Sequence, residues 1–156
     1  MTKDSSLART PRTIFVAGDH AGFGLKKILR DANPNLPWED LGTYDDASVD
    51  YPDFAHRLAD RMKPYASDQS VIGILICGSG QGVAMGANRH KHIRAALCWS
   101  PEVAKLSRSH NNANVLCLPA KFIDTKTAQE ILTVFLNTEF EGGRHERRVA
   151  KLSQNC

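Results

Sequence analysis

Five short apolar runs divide this chain, and each is followed by a stretch in which apolar residues recur at helical spacing. The runs cover residues 13–17, 38–42, 71–76, 93–99 and 115–118. Runs of this length, rich in β-branched residues, are typical of strands buried on both faces of a parallel sheet. Because the runs alternate with predicted helices, the pattern predicts an α/β protein with a three-layer α/β/α sandwich.

Helices are predicted between and after these runs. The first, over 23–32, places Leu25, Ile28 and Leu29 on one stripe. The others are predicted to begin at Pro52, near Gly82, after the N-cap residue Ser100, at Asp124 and, for a basic final helix, near Gly143. The sheet between these helices is expected to be five-stranded, mainly parallel and Rossmann-like.

The length of 156 residues is typical of one domain. Residues 1–12 are polar, show no periodicity and are predicted to form a disordered tail. Residues 13–156 are predicted to form a single domain that ends in the basic helix, because no repeat or linker divides them.

Composition excludes several classes of function. The net charge of +3 is too small to indicate a nucleic-acid partner but suits a small anionic ligand. No apolar stretch approaches the roughly 18 residues of a membrane span, and no signal-peptide core is present, so neither membrane insertion nor secretion is expected. The four cysteines lack C-x-x-C spacing, and Cys98 and Cys117 lie inside apolar runs. Free, buried thiols in a reducing, cytoplasmic environment are therefore expected.

A cysteine and a glycine-rich loop follow the most apolar of the five runs. The sequence there reads Cys77, Gly78, Ser79, Gly80, Gln81, Gly82. Alternating glycines allow the backbone to bend and expose its N–H groups, and the helix predicted from Gly82 would point its N-terminus at the same place. This predicts a thiol beside an anion site at the carboxyl edge of the sheet, where open α/β sheets bind ligands.

Two familiar glycine motifs do not fit this loop. A dinucleotide-binding G-x-G-x-x-G motif would need glycine at Val83 or Met85, and a P-loop would need lysine after Gly82. A plain tight turn remains the alternative interpretation of the loop.

Asp19 and His20 follow the first strand and are expected at the same edge as Cys77. A carboxylate, an imidazole and a thiol gathered there would form an acid–base site. Each group also has an ordinary structural alternative, in which Asp19 caps a helix, His20 bonds a neighbouring loop and the thiol is inert.

Arginines in the final segment indicate a phosphate site. A helix starting near Gly143 would place Arg144 and Arg148 on one face, where two guanidinium groups could bind a phosphate monoester. A solvated basic helix is the alternative. The run from His90 to His92 is too short to indicate a metal site.

Six motifs, in this order, closely resemble the B-type ribose-5-phosphate isomerases, within the wider family that includes galactose-6-phosphate isomerase subunits. They are G-D-H-A-G (18–22), D-Y-P (50–52), C-G-S-G-Q-G with A-N-R (77–82 and 87–89), I-R-A (93–95), S-R-S-H-N-N-A-N-V (107–115) and E-G-G-R-H (141–145). The resemblance runs from about Thr13 to Leu152 and covers nearly the whole chain.

The resemblance implies an aldose–ketose isomerase of the pentose phosphate pathway. Such an enzyme interconverts ribose 5-phosphate and ribulose 5-phosphate through an enediolate, with no metal or nicotinamide cofactor. By match to the family motifs, Cys77 would be the base. Another branch of the family uses a glutamate where this chain has Val83, which supports the cysteine branch. The N–H groups across 78–82, with the Ser79 hydroxyl, would hold the enediolate oxygen.

The same resemblance implies the remaining roles. His110 would open the sugar ring and Asp19 would bind hydroxyl groups or assist, while His20, Tyr51 and Asn111 would line the sugar. Arg144 and Arg148 would bind the phosphate, joined by Lys121, which stands where the family often has arginine and lacks its bidentate fork. Two alternatives stay open: an isomerase of six-carbon sugar phosphates such as allose or galactose 6-phosphate, and a non-catalytic sugar-phosphate-binding module.

Strand direction predicts that two subunits share the site. Cys77 follows a strand, whereas His110 and Asn111 precede one and should lie at the opposite edge of the sheet. A strand of five or six residues spans about 17–20 Å, so one chain does not easily unite these residues. A homodimer or a dimer of dimers is therefore expected, with a sugar phosphate as ligand and without nucleic acid or membrane as partner.

Overall fold

The computed structural model describes residues 10–155 and contains a five-stranded parallel sheet in the order β2-β1-β3-β5-β4. Its strands are β1 (Thr13–Gly18), β2 (Trp38–Asp40), β3 (Val71–Cys77), β4 (Ala95–Leu97) and β5 (Val115–Pro119). All four strand pairings are parallel, so the predicted sheet is confirmed. β3 lies at the centre, and every one of its residues is buried, as its continuous apolar sequence requires.

Helices cover both faces of the sheet and complete the predicted three-layer sandwich. They are α1 (Phe23–Ala32), α2 (Tyr51–Met62), α3 (Gln81–Ala87), α4 (Pro101–Ser109), α5 (Thr125–Asn137) and α6 (Arg144–Lys151), with a short 3-10 helix at Lys63–Tyr65. α1, α4 and α5 pack on one face of the sheet, and α2 and α3 pack on the other. Within residues 10–155, no helix is both long enough and apolar enough to cross a bilayer.

Side chains at helix starts explain two of the boundaries. The Ser100 side chain accepts a hydrogen bond from the backbone N–H of Val103, and the Asp124 side chain accepts one from Thr127. Both residues are therefore N-caps. α5 buries the predicted face of Ala128, Ile131, Leu132 and Phe135.

The predicted apolar stripe of α1 is wrong at one position. Ile28 is 44% exposed, while Lys26 is only 1% exposed. Lys26 Nζ donates to Asp40 Oδ1 at 2.7 Å and to the carbonyl of Thr43, so its charge is paired inside the fold. Burial is the main cause that lowers the pKa of Lys26. A polar partner from another part of the chain thus determines which residue of α1 is buried. Helical periodicity alone does not indicate such a partner.

Two predicted strands are longer than the observed ones. β2 ends at Asp40 rather than at residue 42, and β4 covers only Ala95–Leu97 of the predicted 93–99. Both are outer strands, and neither contains a buried residue, because each has a single neighbour in the sheet. Trp99, predicted to end the fourth strand, is 58% exposed.

Of the predicted tail, residues 1–9 lie outside the described residues. Pro11 is buried. The backbone N–H of Arg12 donates to the Ser70 carbonyl at 2.8 Å, and the Arg12 side chain pairs with Asp68. These two residues are held against the domain.

Candidate active site

Cys77 and Asp19 lie side by side at the carboxyl edge of the sheet. Gly18 is paired with Ile76 across β1 and β3, and the backbone N–H of Asp19 donates to the Ile76 carbonyl. Cys77 is 4% exposed and Asp19 is 6% exposed. The two central strands therefore deliver a thiol and a carboxyl group to one small, sheltered region.

The glycine loop wraps around the Cys77 sulfur. The backbone N–H of Gly80 donates to Cys77 Sγ at 3.2 Å. Gly80 has φ 72°, and a Cβ there would lie 2.5 Å from Leu97 Cδ1, so only glycine fits. α3 begins at the next residue, and the first N–H groups of a helix have no acceptor within it. The loop thus combines a fixed thiol with backbone donors available to an anion.

Asp19 and His20 also make local bonds. Asp19 Oδ1 accepts from the N–H groups of Ala21 at 3.0 Å and Gly22 at 3.1 Å. His20 Nδ1 accepts from the Val49 N–H at 3.2 Å and so braces the loop before α2. These are the ordinary structural roles considered for both residues. They leave Asp19 Oδ2 and His20 Nε2 without a bond among the described residues.

Tyr51 and Lys121 close the sides of the glycine loop. The Tyr51 ring covers Gly82 so tightly that a Cβ there would lie 2.5 Å from a ring carbon. The Lys121 N–H donates to the Gly78 carbonyl at 3.0 Å, and the Lys121 stem packs over Gly78. Among the predicted residues, those assembled at this edge are Asp19, His20, Tyr51, Cys77, Gly78, Ser79, Gly80, Gln81, Gly82 and Lys121.

His110, Asn111 and the start of α6 lie at the other edge. Val115, the first residue of β5, is level with Gly73, while Cys77 is level with Pro119. The four steps from Gly73 to Cys77 span about 13 Å, and His110 precedes Val115 by five residues. One chain therefore does not bring His110 to Cys77.

A backbone bond fixes the α6 segment beside His110. The Glu141 N–H donates to the Ser109 carbonyl at 3.0 Å. The rings of His110 and His145 stack 4.2 Å apart at 13°, and Glu141 Oε2 lies 3.6 Å from His145 Nε2. Burial first, and then the neighbouring His110 and Arg144, lower the pKa of His145. One ligand atom each from His110, Glu141 and His145 lies within 4.8 Å of the other two.

Arg144 and Arg148 lie one helical turn apart on α6, as predicted, and both are exposed. Neither forms an ion pair with any carboxylate within residues 10–155. Asn111 beside His110 is also exposed. This edge thus presents two free guanidinium groups, an imidazole pair and an amide.

Two arginines without a role predicted from the sequence hold this second edge in place. Arg94 Nε donates to the Asn112 carbonyl at 2.7 Å. Arg108 donates to the Ala113 carbonyl and, at 3.2 Å, to the carbonyl of Thr138. Burial lowers the pKa of both arginines. The only signal available in the sequence was their position inside the I-R-A and S-R-S-H motifs.

The other described cysteines differ from Cys77 in their surroundings. Cys77, Cys98 and Cys117 are free thiols. Cys98 and Cys117 are fully buried, as expected, and burial raises the pKa of Cys98 to about 11 and the pKa of Cys117 well above its usual value. Neither is suited to proton transfer near neutral pH.

The histidines at 90 and 92 contact different partners. His90 Nε2 lies 2.7 Å from His56 Nδ1, whereas His92 Nε2 lies 2.7 Å from the Ala59 carbonyl. Their ring nitrogens therefore do not converge on one point.

Comparison with curated proteins finds relatives along nearly the whole chain. The probable ribose-5-phosphate isomerase B of Mycoplasma genitalium is 48% identical over 142 residues, which cover 89% of this chain and 92% of the relative. The ribose-5-phosphate isomerase B of Escherichia coli is 36% identical over 137 residues, covering 86% and 90%.

Solved structures match equally well. Ribose 5-phosphate isomerase of Thermotoga maritima superposes with a TM-score of 0.86 at 45% identity, covering 91% of this chain and 97% of that one. The Mycoplasma genitalium enzyme with bound ribulose-5-phosphate gives a TM-score of 0.85 at 47% identity, covering 91% and 94%. The family described as Ribose/Galactose Isomerase matches residues 14–152. The chain therefore belongs to the ribose/galactose isomerase family.

Proposed function

We propose that this protein is an aldose–ketose isomerase that interconverts ribose 5-phosphate and ribulose 5-phosphate. The observation that carries the proposal is the Cys77 thiol, held by the Gly80 N–H within a backbone anion loop beside Asp19. Relatives named ribose-5-phosphate isomerase B, one of them solved with ribulose-5-phosphate, support this substrate.

Cys77 acts as the base in this mechanism. Its thiolate removes the proton from C2 of the open-chain aldose and returns it to C1, while the hydroxyl proton moves from O2 to O1, which gives the ketose. Charge develops on the substrate oxygens in the enediolate between these steps. The N–H groups of the glycine loop and the Ser79 hydroxyl stabilise that charge, while Asp19 binds sugar hydroxyl groups through its free oxygen.

The second edge supplies ring opening and phosphate binding. His110 exchanges a proton with the ring oxygen of the furanose form, and Asn111 and His20 contact the sugar. Arg144 and Arg148 bind the phosphate through charge-assisted hydrogen bonds, with Lys121 contributing a third positive charge. The free state of the two α6 arginines among the described residues supports this assignment.

A two-fold dimer brings the two edges together, so that His110 and Asn111 of one subunit complete the pocket around Cys77 of the other. An isologous interface repeats each contact on both partners and produces two such pockets. Exposed apolar side chains surround the outer strand β4 and support an interface there. Met85 of α3 is 64% exposed, Trp99 after β4 is 58% exposed and Leu106 of α4 is 50% exposed.

The free thiols of Cys77, Cys98 and Cys117 support a cytoplasmic location. The substrate would place the enzyme in the pentose phosphate pathway.

A coupled turnover assay tests the function. Purified protein is supplied with ribose 5-phosphate, allose 6-phosphate or galactose 6-phosphate, and the ketose formed is measured. We expect the highest kcat/KM on ribose 5-phosphate. Preference for a six-carbon substrate would reassign the sugar, and binding of all three without turnover would identify a non-catalytic module.

A further inference from the structure

The stacked histidines and Glu141 bring three potential ligand atoms to within 4.8 Å of one another at the second edge. His110 Nε2 lies 3.9 Å from Glu141 Oε2, and His145 Nε2 lies 3.6 Å from the same oxygen. Both distances are longer than a hydrogen bond. The three potential ligand atoms therefore lie near one another without forming hydrogen bonds among themselves.

The backbone holds this group in place. The Glu141 N–H donates to the carbonyl of Ser109, the residue before His110, at 3.0 Å. His145 follows Glu141 by four residues, and its own N–H donates to the Gly142 carbonyl at 3.1 Å. The His145 side chain is 8% exposed, whereas the Glu141 side chain is 58% exposed. The group is thus anchored on one side and open to solvent on the other.

The three side chains match the ligands of a zinc-class ion. Two imidazole nitrogens and one carboxylate oxygen bind Zn²⁺ in open sites that keep a fourth position free. Bonds of about 2.0–2.2 Å place tetrahedral ligands roughly 3.4 Å apart, so the two carboxylate distances need to shorten by a few tenths of an ångström. The two imidazole rings, which stack at 13°, need to tilt so that both nitrogen lone pairs point at the ion.

We propose that His110, Glu141 and His145 form a binding site for a divalent transition-metal ion of the zinc class, and that the bound ion inhibits the enzyme. The inhibition rests on the proposed function, in which His110 exchanges a proton with the sugar ring oxygen. A nitrogen lone pair that is bound to metal is no longer available to that proton. The bound ion is therefore an inhibitor.

Binding is tested with Co²⁺ as a spectroscopic probe, titrated into the reduced, full-length protein. We expect one ion per chain, with visible absorption from nitrogen and oxygen ligands and no thiolate charge-transfer band. Glu141→Gln should weaken binding by at least about 10-fold. The matched control is His56→Gln, which removes half of the surface pair in which His56 Nδ1 lies 2.7 Å from His90 Nε2, and it should not weaken binding.

Three binding results would overturn the site. They are unchanged affinity in Glu141→Gln, loss of binding in His56→Gln and a thiolate band that identifies a cysteine as a ligand. Absence of any binding would also overturn it.

Inhibition is tested separately with Zn²⁺. We expect Zn²⁺ to inhibit turnover of ribose 5-phosphate, a chelator to restore it, and Glu141→Gln to keep basal turnover while requiring at least about 10-fold more Zn²⁺. Equal sensitivity of both proteins would overturn the inference and leave the proposed function intact. A chain that binds Co²⁺ as described but isomerises no sugar phosphate would overturn the proposed function and leave the site intact.

Discussion

The two edges of the sheet hold their candidate groups by different means. At the carboxyl edge, Cys77 and Asp19 are buried and are fixed by backbone N–H groups of the residues that follow them. At the opposite edge, Arg144, Arg148 and Asn111 are exposed. The segment after Asn111 is held by the guanidinium groups of Arg94 and Arg108.

The two edges have different tasks in the proposed function. The carboxyl edge transfers the proton, and the opposite edge opens the sugar ring and binds the phosphate. Proton transfer needs a fixed base in a sheltered place, because a displacement of about 1 Å costs a large factor in rate. In the proposed function, ring opening and phosphate binding use side chains that must reach a ligand, and water leaves these side chains only when the partner subunit covers them. In the proposed function the second edge is incomplete in one chain, and the following predictions test this from the largest effect to the smallest.

The largest effect separates the base from the ring-opening group. Cys77→Ala should lower turnover by about 10²- to 10⁴-fold, and it should also abolish exchange of the transferred proton with deuterated water, because no base remains. His110→Gln should lose turnover of ribose 5-phosphate but keep exchange into ribulose 5-phosphate, since that ketose has no furanose ring to open. NMR of the sugar measures both.

The control for this pair is Cys117→Ala, which removes a buried thiol from the neighbouring strand. It should reduce stability but leave kcat nearly unchanged. Exchange that disappears in His110→Gln as well would show that His110 takes part in the proton transfer itself.

The second prediction concerns which subunit supplies each edge of a pocket. Cys77→Ala and His110→Gln chains are each inactive, but mixing them under conditions that allow subunit exchange should restore about a quarter of wild-type activity per site. Random pairing makes half of the dimers mixed, and each mixed dimer has one intact pocket of two. Mass spectrometry of isotope-labelled chains confirms that exchange has occurred. If mixed dimers form and stay inactive, both edges act within a single subunit.

The third prediction concerns the exposed arginines of α6. Arg144→Ala and Arg148→Ala should each raise KM for ribose 5-phosphate by about 10- to 150-fold, which corresponds to ~1.5–3 kcal/mol for a charge-assisted contact. Arg147, exposed on the same helix, is the matched control, and Arg147→Ala should change KM by less than about 2-fold. Equal small effects for all three would make α6 an ordinary solvated helix.

How much the sequence predicts also differs between the edges. The carboxyl edge depends on local signals, because each group directly follows a strand, and the sequence correctly placed Asp19, Cys77 and the glycine loop together. The stack of His110 on His145 joins segments more than thirty residues apart, and no local pattern indicates such a contact.

Tertiary pairing explains the remaining errors. The helical stripe assigned Ile28 to the core. Lys26 is buried instead, because Asp40 and the Thr43 carbonyl accept hydrogen bonds from its ammonium group. The short outer strands ended early because each has one neighbour only. Periodicity reports which residues share a face, but it does not report which partner that face meets.

The smallest predicted effect concerns Lys121, a positive charge that the proposed function places beside the phosphate from the carboxyl edge. Its stem packs over Gly78, and its position is fixed by the N–H bond to the Gly78 carbonyl. Because arginine adds a bidentate fork at the same charge, Lys121→Arg should lower KM for ribose 5-phosphate by about 2- to 10-fold, and Lys121→Ala should raise it. Steady-state kinetics measures both, with Lys126→Arg on the exposed start of α5 as the control. An unchanged KM in Lys121→Ala would remove this residue from the phosphate site and leave phosphate binding entirely to the α6 edge.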